Sequence, residues 1–277
     1  MPIRPSWADL PDGLSAVVEL RLHLDRAGFV RTTRRLTDAG TVYVDHARRA
    51  LRELSAAERA VHDVEDLARG HLRLAVTPTF TAYLIGPVAA ELRSRHPGIT
   101  LTLTETTQDL IESGLLADEF DLGIAFTGPH LGGIDATALF TETLSLVVGS
   151  RRAGSAQCSP LAVQNLADQD LALLTVEFAT RRHIDAYLRE NRISPRIMVE
   201  ANSIQAVIEI VARTGLATVL PDAITHDHPQ LVPVPLAPTL PRTVVLLRRE
   251  HAYQSAASRA FTQLIERWVH ARRYRRP

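Results

Sequence analysis

Lysine is absent from this 277-residue chain; all 31 basic residues are arginine, and they balance 31 acidic ones to a formal net charge of zero. A neutral total excludes a surface that is basic throughout and acts as a nucleic-acid sink, while leaving room for a small basic module on a neutral body. A single cysteine, Cys158, can form no internal disulfide. That excludes a disulfide-stapled scaffold and fits a reducing cytoplasm. Fourteen glycines are far too few for a collagen-like chain. No apolar run approaches the ~20 residues of a membrane-spanning helix. Pro2, Pro5, Asp9, Pro11 and Asp12 interrupt the N-terminal stretch where a secretory signal would sit. The expected location is therefore cytoplasmic, with no membrane partner. What the chain does have is a 45% hydrophobic composition, which excludes disorder, and length for about two domains.

Residues 1–36 carry proline and scattered arginine without a long amphipathic period, and form an atypical N-terminal segment. From Thr37 the pattern sharpens. Thr37 and Asp38 can cap a helix, and apolar positions then recur at Ala47, Leu51, Leu54, Ala57, Val61, Val64 and Ala68. Steps of three and four put them on one stripe of a charged rod over 37–69, ended by Gly70. One narrow apolar seam cannot bury itself, so Ala47, Leu51, Leu54, Val61 and Val64 are expected to pair with a second copy of the chain. Packing on the same chain is the alternative.

Beyond Gly70 short strands alternate with helices. The spacing predicts strands over 71–76, 99–105, 121–126, 143–149, 171–175, 197–200, 216–220, 231–236 and 243–248. It predicts helices over 87–95, 108–116, 180–191, 203–213 and 254–269. Alternation of this kind implies α/β architecture with parallel sheets, here in two rounds. The expected organisation is one lobe from 70–144 and 243–277, and a second from 145–242. Ligands in such sheets bind beyond the carboxyl ends of the strands, where helix N-termini converge.

Four predicted strand ends carry polar residues there. They are Thr77-Pro78-Thr79-Phe80, Phe126-Thr127-Gly128, Glu177-Phe178-Ala179-Thr180 and Ala201-Asn202-Ser203. Taken singly, each reads as an ordinary helix cap; together at one cleft they point to a small-anion site. Enzyme signatures are missing: Gly128–Gly133 lacks the GxGxxG spacing, and there is no GxSxG elbow. Cys158 sits beside Ser159-Pro160 in a predicted surface loop. His226-Asp227-His228 lacks further ligands at metal-site spacing and reads as a solvated turn. No metal, cofactor or catalytic residue is expected.

The residues resemble the LysR-type transcriptional regulators. Arg35-Leu36-Thr37-Asp38-Ala39-Gly40 is similar to the family's wing-to-linker junction, and Gly70-His71-Leu72-Arg73-Leu74-Ala75 to the start of its effector-binding domain. Within the family the chain is most similar to the cyanate operon regulators. The segments that carry this are Ala75-Val76-Thr77-Pro78-Thr79-Phe80-Thr81, Asp121-Leu122-Gly123-Ile124-Ala125-Phe126, Glu200-Ala201-Asn202-Ser203-Ile204 and Arg242-Thr243-Val244-Val245. The resemblance implies two Rossmann-like lobes of the periplasmic-binding-protein type behind a linker helix and a winged helix-turn-helix remnant. It implies a small anionic effector, cyanate, contacted by Thr77, Pro78, Thr79, Phe80, Thr127, Phe178, Asn202 and Ser203, with hydroxyl and amide donors in place of an arginine clamp. It further implies a homodimer or tetramer acting on promoter DNA and controlling cyanate-detoxification genes. Arg34 and Arg35 are similar to wing contacts with the DNA backbone. The family's DNA-reading module spans roughly 60 residues, and its recognition-helix pattern has no counterpart between Met1 and Gly40, so a truncated helix-turn-helix with impaired DNA binding is expected. The alternatives are a small-solute-binding receptor and an inactive dimerisation partner.

Overall fold

The computed structural model describes residues 37–44, 46, 47, 50, 54, 70–153 and 159–271. The chain divides into two units, Met1–Arg59 and Ala60–Pro277. In the first, residues 38–44, 46, 47, 50 and 54 are helical. Thr37 is the expected cap, its Oγ1 accepting from the Gly40 N–H at 3.0 Å. Ala47 is half-buried and Leu54 exposed on this helix. Leu51, Val61, Val64, Arg34, Arg35 and Cys158 lie outside the described residues.

The second unit is built on a nine-stranded sheet. β1 (Gly70–Val76) pairs in parallel with β2 (Ile99–Glu105) and β3 (Leu122–Phe126). β3 is buried along its whole length, which explains its uninterrupted Leu-Gly-Ile-Ala-Phe run. β4 (Ile134–Gly149) and β11 (Leu240–Arg249) lie antiparallel through the middle. Beyond them, β6 (Asp170–Leu174), β7 (Arg196–Ala201) and β8 (Ala217–Pro221) form a second parallel group. The path runs β2-β1-β3-β11-β4-β8-β6-β7, with β9 (Leu231–Val234) added on β4. β5 (Leu161–Ala162) and β10 (Leu236–Ala237) form a separate small ladder.

This corrects the expectation of parallel sheets alone, because two antiparallel strands join the halves. It also lengthens β4, of which the sequence pattern marks only 143–149. The first half of β4 is partly solvated at Asp135, Ala136, Thr137 and Ala138, so its apolar density is too low to stand out. Across β4 and β11 the register slips between Val244, opposite Phe140, and Val245, opposite Ala138. Leu139 is thus the extra residue of a β-bulge, which bends the ribbon where it passes from one half to the other.

Helices cover the sheet: α1 (Pro78–Thr81), α2 (Ile85–Arg95), α3 (Gln108–Leu116), α4 (Ala179–Glu190), α5 (Ile204–Arg213) and α6 (Ala256–Ala271). Ile111 and Leu115 of α3 join Ala75, Ala125, Val245 and Leu247 in one core layer. Gly123 permits that approach, since a Cβ there would lie 2.4 Å from Ile111 Cγ2. α6 returns to the first half, its Phe261, Leu264, Ile265 and Trp268 buried with Leu72, Leu74 and Val88. Among the described residues, no helix is long and apolar enough to cross a membrane.

Candidate effector cleft

A cavity of about 530 Å³ opens where the two halves meet. One wall is the N-terminus of α3 with the segment after β3, contributing Gln108, Asp109, Thr127, Gly128 and Pro129. The other is the start of α4, contributing Ala179, Arg182 and His183, and β4 and β11 supply Thr141, Arg242 and Thr243 between them. The N-caps of α3 and α4, Thr107 and Phe178, make no side-chain cap bond. First-turn N–H groups of a helix have no partner within it, so both termini present donors and a positive dipole end.

Arg242 organises the site. Its register partner across the ribbon is Glu142, which places the two side chains on the same face. Both are buried, and Arg242 Nε donates to Glu142 Oε1 at 2.5 Å. The Tyr83 hydroxyl donates to the other oxygen of Glu142 at 2.5 Å. Arg242 also donates to Thr180 Oγ1 at the start of α4 (2.8 Å) and to Thr79 Oγ1 on α1 (3.3 Å). The Phe126 ring lies 3.7 Å below the guanidinium. One side chain therefore ties both halves to the ribbon between them.

A second polar network holds the wall. Gln108 bonds both backbone groups of Phe126, its Oε1 accepting from the N–H and its Nε2 donating to the carbonyl. Glu112, one turn on, is buried; it accepts from the Leu131 N–H at 2.8 Å and lies 2.8 Å from His130 Nδ1. These bonds pin the loop that carries Thr127, Gly128 and Pro129.

At the rim, Arg182 and Asp109 approach across the cleft to 4.0 Å while both remain exposed, a separation that stabilises little. Its neighbour Arg181 points away from the cavity, bonded to Asp185, Glu200 and the Leu174 carbonyl. Burial, reinforced by the charge of Arg242, holds the His183 imidazole below the ordinary histidine range.

Burial likewise pushes the Asp222 carboxyl up, with Glu142 adding to the shift and Ser145 and His226 opposing it. An acid raised in the folded state binds more protons there than in the unfolded chain. Stability is therefore lost as pH rises through the folded value. Asp222→Asn should flatten that slope and raise the melting temperature at neutral pH relative to the parent, measured by thermal melts across pH 4–8. An unchanged slope in the variant, or a melting temperature at neutral pH no higher than the parent's, would contradict this.

The residues singled out from sequence are distributed unevenly. Thr127 lines the cavity, and Thr79 reaches it through Arg242. Pro78 and Phe80 are enclosed in the core, and Thr77 is buried with its hydroxyl unbonded among the described residues. Phe178 packs on the core beside the cavity residue Ala179. Asn202 is exposed, and Ser203 caps α5 by accepting from the Ala206 N–H at 3.4 Å; neither lines the cavity. Alongside the hydroxyl and amide donors expected there, the cavity lining includes a guanidinium, that of Arg242. Sequence reasoning missed Arg242, Glu142, Tyr83, Glu112 and His183. Of these only Arg242 lay in a segment noted for resemblance, and nothing local marked it as buried.

Two α/β halves joined by an antiparallel ribbon, with a cavity of mixed polar and apolar lining between them, define an effector-binding domain of the periplasmic-binding-protein type. The LysR substrate binding domain matches residues 65–269, and the chain belongs to the LysR family of transcriptional regulators. It is 28% identical over 212 residues to the nitrogen assimilation regulatory protein nac of Klebsiella aerogenes, covering 75% of this chain and 68% of that one. The CcmR regulatory domain of Synechocystis, solved with 2-PG, superposes with a TM-score of 0.64 at 19% identity, over 72% of this chain and 97% of that one. Full-length CbnR complexed with its target DNA gives 0.62 at 20% identity, over 91% and 88%. The family's members are regulators and not enzymes.

Proposed function

We propose that this LysR-type regulator senses a small anion in the cleft between its halves and passes the occupancy to promoter DNA. The observation that carries the reading is Arg242, buried in the cavity between two helix N-termini. Cyanate is the effector that the sequence resemblance nominates, with cyanate-detoxification genes as the target. A three-atom ion leaves much of a 530 Å³ cavity open, so larger monoanions belong in the same test. Two copies would pair along 37–69, through Ala47, Leu51, Leu54, Val61 and Val64, into a dimer or tetramer, and Arg34 and Arg35 would meet the DNA backbone.

The mechanism is linkage. An effector that prefers one setting of the halves shifts the oligomer and hence its affinity for DNA, and couplings of about 1–3 kcal/mol change affinity roughly 5- to 150-fold. The test is fluorescence anisotropy of a labelled fragment from upstream of the chain's own gene, titrated with and without cyanate. A shift in DNA affinity within that range is the expected result. Stabilisation by cyanate without any DNA response would favour the solute-receptor or inactive-partner reading. A DNA response only to other monoanions would remove cyanate and keep the regulator.

A further inference from the structure

We infer that the Glu142–Arg242 pair makes this cleft select singly charged oxyanions over both uncharged ligands and dianions. Arg242 donates its unspent N–H groups to the ligand, and Glu142 repels a second negative charge. The inference rests on the cleft being the effector site, and it names the charge class that the site accepts.

The donor count comes first. A guanidinium carries five N–H donors and no acceptor. Arg242 spends one on Glu142, one on Thr180 and one on Thr79. Among the described residues no acceptor takes the other two, and Arg242 lines the cavity. Phe126 occupies one face of the guanidinium, and the unspent N–H groups, one on each Nη, lie in its plane. An in-plane approach to adjacent N–H groups suits a planar oxyanion.

Charge then sets the limit. Arg242 is neutralised by Glu142, and at the solvated rim the opposite charges of Arg182 and Asp109 face each other and leave no net charge. His183 is held uncharged near neutrality by burial and by Arg242. What remains is the dipole ends of α3 and α4, each equivalent to about half a positive charge and together to about one, plus unspent donors. One negative charge is balanced by this; a second would be buried beside the Glu142 carboxylate, where a low dielectric strengthens repulsion. Tyr83 fixes Glu142 so that it cannot swing away without losing a bond. Thr79 and Thr180 belong to opposite halves, so an oxyanion on Arg242 also draws on the group that spans them.

The test uses the full chain and three probes of matched shape, benzoate, benzamide and phthalate, read by calorimetry and thermal shift. The parent should bind benzoate at least tenfold more tightly than either of the others, the scale of losing one charged hydrogen-bond partner, about 1.4 kcal/mol or more. Glu142→Gln should melt lower yet bind benzoate more tightly and gain phthalate binding, a direction that loss of structure cannot produce. Arg242→Gln combined with Glu142→Gln removes the pair without leaving a buried charge, and should bind benzoate and benzamide alike. Equal binding of benzamide and benzoate by the parent, phthalate bound as well as benzoate, or binding of none of the three would overturn the charge assignment. So would an acid preference that survives the double substitution. Each of these leaves the DNA-response experiment to decide the regulator reading by itself.

Discussion

Replacing Arg242 by alanine is expected to lower the unfolding free energy by about 3–5 kcal/mol, because it strands a buried carboxylate. Glu142 would keep only the Tyr83 hydroxyl of its present partners, and Thr79 and Thr180 would lose their shared donor. The pair itself is not the source of so large an effect. Desolvation offsets much of its attraction, so removing both charges together should cost far less than removing one. A urea double-mutant cycle with Glu142→Gln checks this. The two substitutions should be strongly non-additive, with a coupling of about 3 kcal/mol or more. Additive costs would mean that the two side chains stabilise the fold independently, contrary to their 2.5 Å contact.

The second large effect separates two readings of the segment after β1. Phe80 was expected at the effector site, yet it is fully enclosed, with ring centroids 6.1 Å from Tyr83 and 5.1 Å from Phe126. Phe80→Ala should therefore cost about 3–5 kcal/mol of stability as a cavity-forming change. The folded fraction should retain its anion affinity to within a few-fold. Loss of affinity at nearly unchanged stability would return Phe80 to the binding surface.

How much was legible in the sequence varies with the element. β2 and α3 fall where the pattern of Ile99–Glu105 and Gln108–Leu116 placed them, since each has a clear period and a clean boundary at Pro97-Gly98 or Thr107. The first half of β4 was not legible, because a partly solvated strand has no dense apolar run. The site was legible only in outline. Helix N-termini at strand ends pointed to the end of the sheet where the cavity opens, and Thr127 and the start of α4 line it. The Thr-Pro-Thr-Phe segment could not be placed from sequence, because threonines before a helix look the same whether they greet a ligand or close a core. Burial decides between these, and burial is a tertiary fact. Glu142 and Arg242 are 100 residues apart and meet only through strand register. A one-residue slip in that register would send one of them to the opposite face.

Anion binding in the space between the two halves is open to amide chemical-shift mapping of the isotope-labelled chain, titrated with cyanate and with benzoate. Saturable shifts are expected at Gln108, Asp109, Thr127, Gly128, His183 and Thr243, with Asn202 and Ser203 unmoved by direct contact. Shifts centred on another surface, or a spectrum indifferent to every anion added, would contradict it.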